Sequence, residues 1–167
     1  MDENVERFLR GLLSSESSMI LPRYSGIPTF MRTATEQDLS KIDIALIGVP
    51  FDGGVTNRAG ARHGPREIRN QSSFQGFQNH QSKIIPFQIC RVADIGDVPI
   101  PDRYTLDSGI QAIEEFYKRV VKAEVAPVSA GGVHSITYPI LKALGAQAPV
   151  GLVHVDAHCD TMPEWEG

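Results

Sequence analysis

The apolar positions of the chain fall into short runs separated by longer stretches with helical spacing. Residues 41–49 read KIDIALIGV, which predicts a strand ended by Pro50. Further strands are predicted at 89–95, before the turn Gly96-Asp97-Val98-Pro99, and at 126–130. The strongest strand signal is Val150-Gly151-Leu152-Val153-His154-Val155. Pro65 opens a helix running to about Ser73, because its missing N–H costs nothing at a first helical position. The clearest helix starts near Asp107, read as its N-cap, and carries Ile110, Ile113, Phe116, Tyr117, Val120 and Val121 as one stripe. Gly131-Gly132 turns the third strand into a helix from about Ser135 to Leu144. Residues 2–20 predict a short helix followed by a Ser-rich linker. Short apolar strands alternating with helices predict an α/β fold, a parallel sheet covered on both faces. Ligands of such sheets sit outside the carboxyl ends of the strands.

Composition narrows the class. The 167 residues fit one domain and are enough to bury a core without disulfides. With 41% apolar and 22% charged residues the chain is not wholly disordered. Sixteen basic against twenty acidic side chains leave a net charge of −4, without the basic surface nucleic acid requires. Two cysteines are too few for a disulfide framework, and no apolar run approaches the ~20 residues of a membrane span. The acidic start, Met1-Asp2-Glu3-Asn4, is unlike a signal peptide. These features predict a soluble cytoplasmic protein that binds neither nucleic acid nor membrane. The fourth strand lies twelve residues before the end, and residues 162–167 read as a loop. A buried strand so placed predicts a domain that is incomplete at its C-terminal side.

The chemistry clusters at the strand ends. After the fourth strand comes Asp156-Ala157-His158-Cys159-Asp160. Residues two apart in extended backbone face one side, so Asp156, His158 and Asp160 can converge. Two carboxylates and an imidazole suit manganese, zinc or nickel, and a cation offsets the cost of placing carboxylates side by side. A solvated loop is the plainer reading of the same residues. After the third strand, Ala130-Gly131-Gly132-Val133-His134-Ser135 allows a sharp turn that aims His134 over the sheet. A packed or capping histidine is the alternative there. Residues 53–66, GGVTNRAGARHGPR, form a long loop dense in glycine and donors. Its spacing matches no phosphate-binding fingerprint.

The segments GVPFDGGVTNRAGARHGPREIR, SAGGVHSIT and VHVDAHCDT together resemble the ureohydrolase family of arginases and agmatinases. The agmatinase and guanidinobutyrase branch fits best, and SGIPTFMR at 25–32 is similar to the start of its core. The resemblance divides the chain into an N-terminal helix and linker, 1–24, and the N-terminal part of a ureohydrolase domain, 25–167. It implies a three-layer α/β/α sandwich with a mainly parallel sheet and two divalent ions, manganese or in some relatives another metal such as nickel. By resemblance His134 and Asp160 ligate one ion, His158 the other, and Asp156 bridges both. The implied reaction is hydrolysis of a guanidinium to urea and an amine by a hydroxide held between the ions. It further implies a homo-oligomer and a small guanidino substrate, agmatine or an ω-guanidino acid. Arg58, Arg62 and Arg66 are candidates to pair with a carboxylate tail.

Two departures from the family pattern stand out. Val133 replaces an Asp that normally precedes the ligand histidine, removing a hydrogen-bond acceptor. Family members are also longer: a later Asp-x-Asp pair, a guanidinium-holding Glu and a proton-shuttling His lie beyond position 167. No catalytic residue is therefore assigned. His63 and His80 do not match the shuttle position, and His154 reads as a packed residue or one behind the ligands. A non-catalytic metal-binding or oligomerising member of the fold is the alternative. A single-zinc, deacetylase-like hydrolase is a third reading, against which the second carboxylate, Asp160, argues.

Overall fold

A computed structural model describes residues 22–102 and 104–160. The helix and linker expected at 2–20, and the loop at 162–167, lie outside them. At the centre is a parallel sheet of β1 (Ile44–Val49), β2 (Val92–Asp97) and β3 (Ala126–Gly131), in the order β2-β1-β3. β1 pairs with β3 in unbroken register from Ile44↔Ala126 to Val49↔Gly131. Its pairing with β2 slips between Leu46 and Gly48, where Gly96 takes a left-handed φ of 90°. The extra residue bends β2 and brings Asp97 opposite Gly48.

The two faces of β1 are covered by different helices. Ala45, Ile47 and Val49 point to one side and are fully buried with Ile113, Tyr117 and Val120 of α3 (Leu106–Lys122). Helix α4 (Thr137–Leu144) adds Ala143 to that core and packs along α3, where Lys142 pairs with Glu114 at 2.8 Å. On the other face Gly48 lies under Pro65 of α1 (Gly64–Ser72), where a Cβ would stand 3.0 Å from the proline ring. Helices on both faces of a parallel sheet make the expected three-layer arrangement.

Several expected boundaries move. The second strand starts at Val92 rather than 89, because Pro86–Ile89 close a short helical turn, α2, and pairing with β1 begins at Val92. Helix α3 begins at Leu106 with Thr105 as N-cap, not at Asp107. Asp102 organises that entry by accepting from the Tyr104 N–H and the Thr105 hydroxyl. Asp107 falls in the first turn, where its charge suits the helix dipole. The largest correction concerns the fourth strand. Residues 150–155 join no ladder, and Val153 and Val155 are 90% and 93% exposed. Apolar sequence makes a segment ready to pair, but a strand needs a neighbour that accepts its N–H groups. Among the described residues the sheet stops at β3, an edge strand whose Val128 is itself exposed.

Candidate metal centre

The site forms where the carboxyl ends of β1 and β3 meet. Gly132 turns the chain out of β3 with φ 57°, and a Cβ there would lie 2.7 Å from the Val49 carbonyl and closer still to that of Phe51. Only glycine allows that approach. The next N–H, of Val133, donates to the Phe51 carbonyl at 3.0 Å. A single 3-10 turn, His134–Ile136, then leads into α4 and leaves the His134 imidazole above the sheet end.

Residues 154–160 come to meet it. His134 Nδ1 stands 2.7 Å from Asp160 Oδ2 and 3.8 Å from Asp156 Oδ2. His154 Nε2 lies 3.7 Å from Asp156 Oδ2 and 4.0 Å from Asp160 Oδ2. One ligand atom from each of His134, His154, Asp156 and Asp160 falls within 4.8 Å of all the others. Asp160 reaches this position through a left-handed backbone, φ 49°. The structure thus brings together His134, Asp156 and Asp160 of the four expected ligands. His158 borders the group: its N–H donates to Asp156 Oδ1 at 2.9 Å, its Nδ1 is 3.6 Å from that oxygen, and its ring points to solvent. That backbone N–H, helped by the three nearby imidazoles, holds the Asp156 carboxyl below its ordinary range. His154, read from sequence as a packed residue, is a member of the cluster. The signal was available: it precedes Asp156 by two and so shares its face in extended backbone.

The glycine-rich loop is anchored beside this turn. Buried Asp52 accepts the Gly60 N–H at 2.9 Å and takes the Arg62 guanidinium in a fork, Nε to Oδ2 at 2.8 Å and Nη2 to Oδ1 at 2.5 Å. The guanidinium keeps the Asp52 carboxyl ionised well below the usual range. The Ser135 hydroxyl donates to the Gly53 carbonyl at 3.0 Å. Of the three candidate arginines, Arg62 is therefore committed to Asp52, whereas Arg58 and Arg66 remain exposed. Sequence reasoning gave no role to Asp52, nor to Asp94. Asp94 receives Arg69 through Nε at 2.8 Å and Nη2 at 3.0 Å, and accepts the Phe30 N–H at 3.0 Å, with the Arg69 guanidinium 4.1 Å over the Phe30 ring. This network fastens the SGIPTFMR segment against β2.

The Arginase family profile matches residues 42–167, from the start of β1 through the cluster. The chain belongs to the arginase family. That membership sets aside the deacetylase-like reading. A guanidinopropionase from Pseudomonas aeruginosa is 50% identical over 147 residues, covering 88% of this chain and 46% of that protein. The crystal structure of a hypothetical agmatinase from Burkholderia thailandensis superposes with a TM-score of 0.80 at 34% identity, covering 86% of this chain and 46% of that one. A formiminoglutamase from Trypanosoma cruzi, whose structure holds manganese, gives 0.66 at 27% identity over 78% of this chain and 45% of that one. The arginase-family chain thus spans about half the length of the relatives it matches. Among the described residues no helix is long and apolar enough to cross a membrane.

The cluster's donors fit a divalent cation. Carboxylate oxygens and imidazole nitrogens are the ligands that manganese, zinc and nickel take. Among the described ion pairs Asp156 and Asp160 face imidazoles and no lysine or arginine. A bound cation would neutralise the two carboxylates.

Proposed function

We propose that residues 25–167 form the N-terminal part of a metal-dependent hydrolase that cleaves linear guanidino compounds to urea and an amine. The observation that carries this reading is the meeting of His134, Asp156 and Asp160 at the carboxyl ends of a parallel sheet in an arginase-family chain. His134, Asp156 and Asp160 would hold the metal, and His158, already bonded through its backbone to Asp156, would complete the set. Divalent ions bound there, two manganese ions or nickel in their place, would supply Lewis acidity and lower the pKa of a bound water to about 7. The chain's own contribution is placement. Gly132 and the Val133–Phe51 bond fix the direction of His134, and the Ser135–Gly53 bond ties the loop to the same turn. The substrate is agmatine or an ω-guanidino acid, in keeping with the guanidinopropionase and agmatinase relatives, and the assembly is a cytoplasmic homo-oligomer.

A second reading, a non-catalytic metal-binding member of the fold, draws on one observation. The donors converge as a single four-atom group with His158 outside it, an arrangement that suits one ion. The test combines calorimetric titration with manganese and nickel with a urea assay on agmatine, guanidinobutyrate and guanidinopropionate, the urea assay run on the protein extended to the full length of its relatives. The hydrolase reading expects metal binding that weakens about 100-fold in Asp160→Ala or His134→Ala, and urea release lost with it. Binding without turnover on any substrate favours the second reading. Binding unchanged in both Asp156→Ala and His158→Ala removes this segment as the metal centre.

A further inference from the structure

The proposed hydrolysis leaves Asp52 without a task, although it is a buried carboxylate between Phe51 and Gly53, both of which are bonded to the His134 turn. Its burial is offset by the Arg62 fork and the Gly60 N–H, both from the far end of a loop whose near end, Gly53, is bonded to Ser135. The stretch between, residues 54–60, is exposed. Phe51, one residue before Asp52, receives the Val133 N–H, and Ser135 directly follows His134. Gly64 lies so close to Gly131 that a Cβ there would stand 2.6 Å from the Gly131 carbonyl. The loop and the His134 turn therefore meet at three points, Phe51–Val133, Gly53–Ser135 and Gly64–Gly131, and the Asp52–Arg62 brace closes the loop on itself between them.

We infer that Asp52 is a positioning residue, whose pairing with Arg62 closes the glycine-rich loop and thereby fixes the turn that presents His134. The physical basis is that an ion pair between a buried carboxylate and a half-exposed arginine leaves a costly uncompensated charge once the arginine is removed. The carboxylate then escapes by opening the segment it belongs to, and that segment carries the Phe51 carbonyl on which the Val133 N–H rests. The loop so fixed forms a preset wall beside the cluster, shaped before any ligand arrives. That the wall faces a guanidino substrate rests on the hydrolase reading; the coupling between Asp52 and His134 does not.

The test uses the chain as it stands, without ligand, followed by amide hydrogen exchange and by the Cε1–H resonance of His134. Arg62→Ala removes a half-exposed side chain and should leave the sheet and helices folded. It is expected to speed exchange at the Gly60 and Val133 amides at least tenfold and to shift the His134 resonance, while Ile113 and Tyr117 in α3 stay within twofold. Arg62→Lys, which keeps the charge, should restore most of the protection, and Asp52→Asn, which leaves no buried charge to escape, should speed exchange at the same amides less than Arg62→Ala does. Asp43→Asn, which breaks the exposed pair with Arg91 at the opposite end of β1, should leave Val133 and His134 unmoved. Faster exchange spread equally through α3 would reduce the pair to general stability and overturn the inference. So would a change confined to Gly60, or failure of Arg62→Lys to recover. Manganese titration of the unsubstituted chain separates the two proposals: absence of binding overturns the hydrolase reading and leaves the exchange result to decide this one.

Discussion

The two arms that meet at the cluster reach it by different means. His134 stands at the end of β3, which pairs with β1 residue for residue and is followed by a turn locked against Phe51 and Gly53. Asp156 and Asp160 stand on a segment without ladder hydrogen bonds, whose Leu152, Val153 and Val155 face solvent. The first arm is held by packing that exists before any ligand binds. The second is held mainly by its own polar contacts, His134 to Asp160 and the His158 N–H to Asp156. Fixing one residue's backbone costs about 1–2 kcal/mol, so a ligand at this cluster must order the second arm before its contacts show as affinity. Affinity for a ligand at this cluster would therefore report on the loose arm, whereas fold stability reports on the packed one.

Truncating the core beneath each arm separates them most sharply. Ile113 of α3 is fully buried in the core with β1, the strand that pairs with β3 below the His134 turn. Ile113→Ala should cost about 2–5 kcal/mol, read from urea unfolding. Leu152→Ala on the exposed arm should change stability by less than about 0.5 kcal/mol. Comparable losses at both positions would mean that residues 150–155 are packed in solution and that the contrast is false.

Alkaline unfolding gives a smaller and more local reading of the packed arm. Tyr117 is fully buried, and its hydroxyl shares a hydrogen bond with Ser129 of β3 at 2.5 Å. Burial pushes the Tyr117 phenol up to about 12, with the Ser129 bond opposing only part of the shift. The folded state thus keeps the phenol neutral where the unfolded chain ionises it near 10. The stability this supplies is fully present below pH 10 and is lost as pH rises toward 12, by at most about 1.4 kcal/mol per pH unit. Tyr117→Phe should flatten that limb and cost about 1 kcal/mol at neutral pH through the lost hydrogen bond. Thermal melts from pH 8 to 11.5 make the measurement. An unchanged alkaline limb in the variant would show that the β3–α3 contact is open to water.

The same division explains what the sequence made legible. The three paired strands, both long helices and the stripe of α3 follow from local periodicity, because each buries one face against the next. Pro65 and Gly132 announced their turns for steric reasons that hold in any fold. His134, Asp156 and Asp160 were legible because strand ends and alternate spacing bring them together. The fourth strand was misread, since an apolar run states a readiness to pair and says nothing about whether a neighbour is present. Asp52 and Asp94 were missed for the opposite reason. Their arginines lie ten residues down the chain at Arg62 and twenty-five residues up it at Arg69, and no local pattern joins such partners.

Charge placed on the exposed arm gives the smallest change in fold stability and the clearest test of what that arm does instead. Val153 is 90% exposed, Leu152 and Val155 beside it in sequence are exposed as well, and so is Val128 on the edge strand β3. Contiguous apolar surface beside an unpaired strand edge favours association, and a lysine on an edge is one of the ways proteins suppress it. Val153→Lys should leave the unfolding free energy within about 0.5 kcal/mol, since no buried contact is lost. It should at the same time lower the concentration-dependent mass seen by light scattering. If mass falls and stability holds, residues 150–155 are an association surface and the packed arm folds without them. If stability falls with the mass, self-association supplies the missing neighbour of the fourth strand, and the contrast between the arms belongs to the isolated chain alone. If neither changes, the exposed valines are inert, and any oligomer forms through another face.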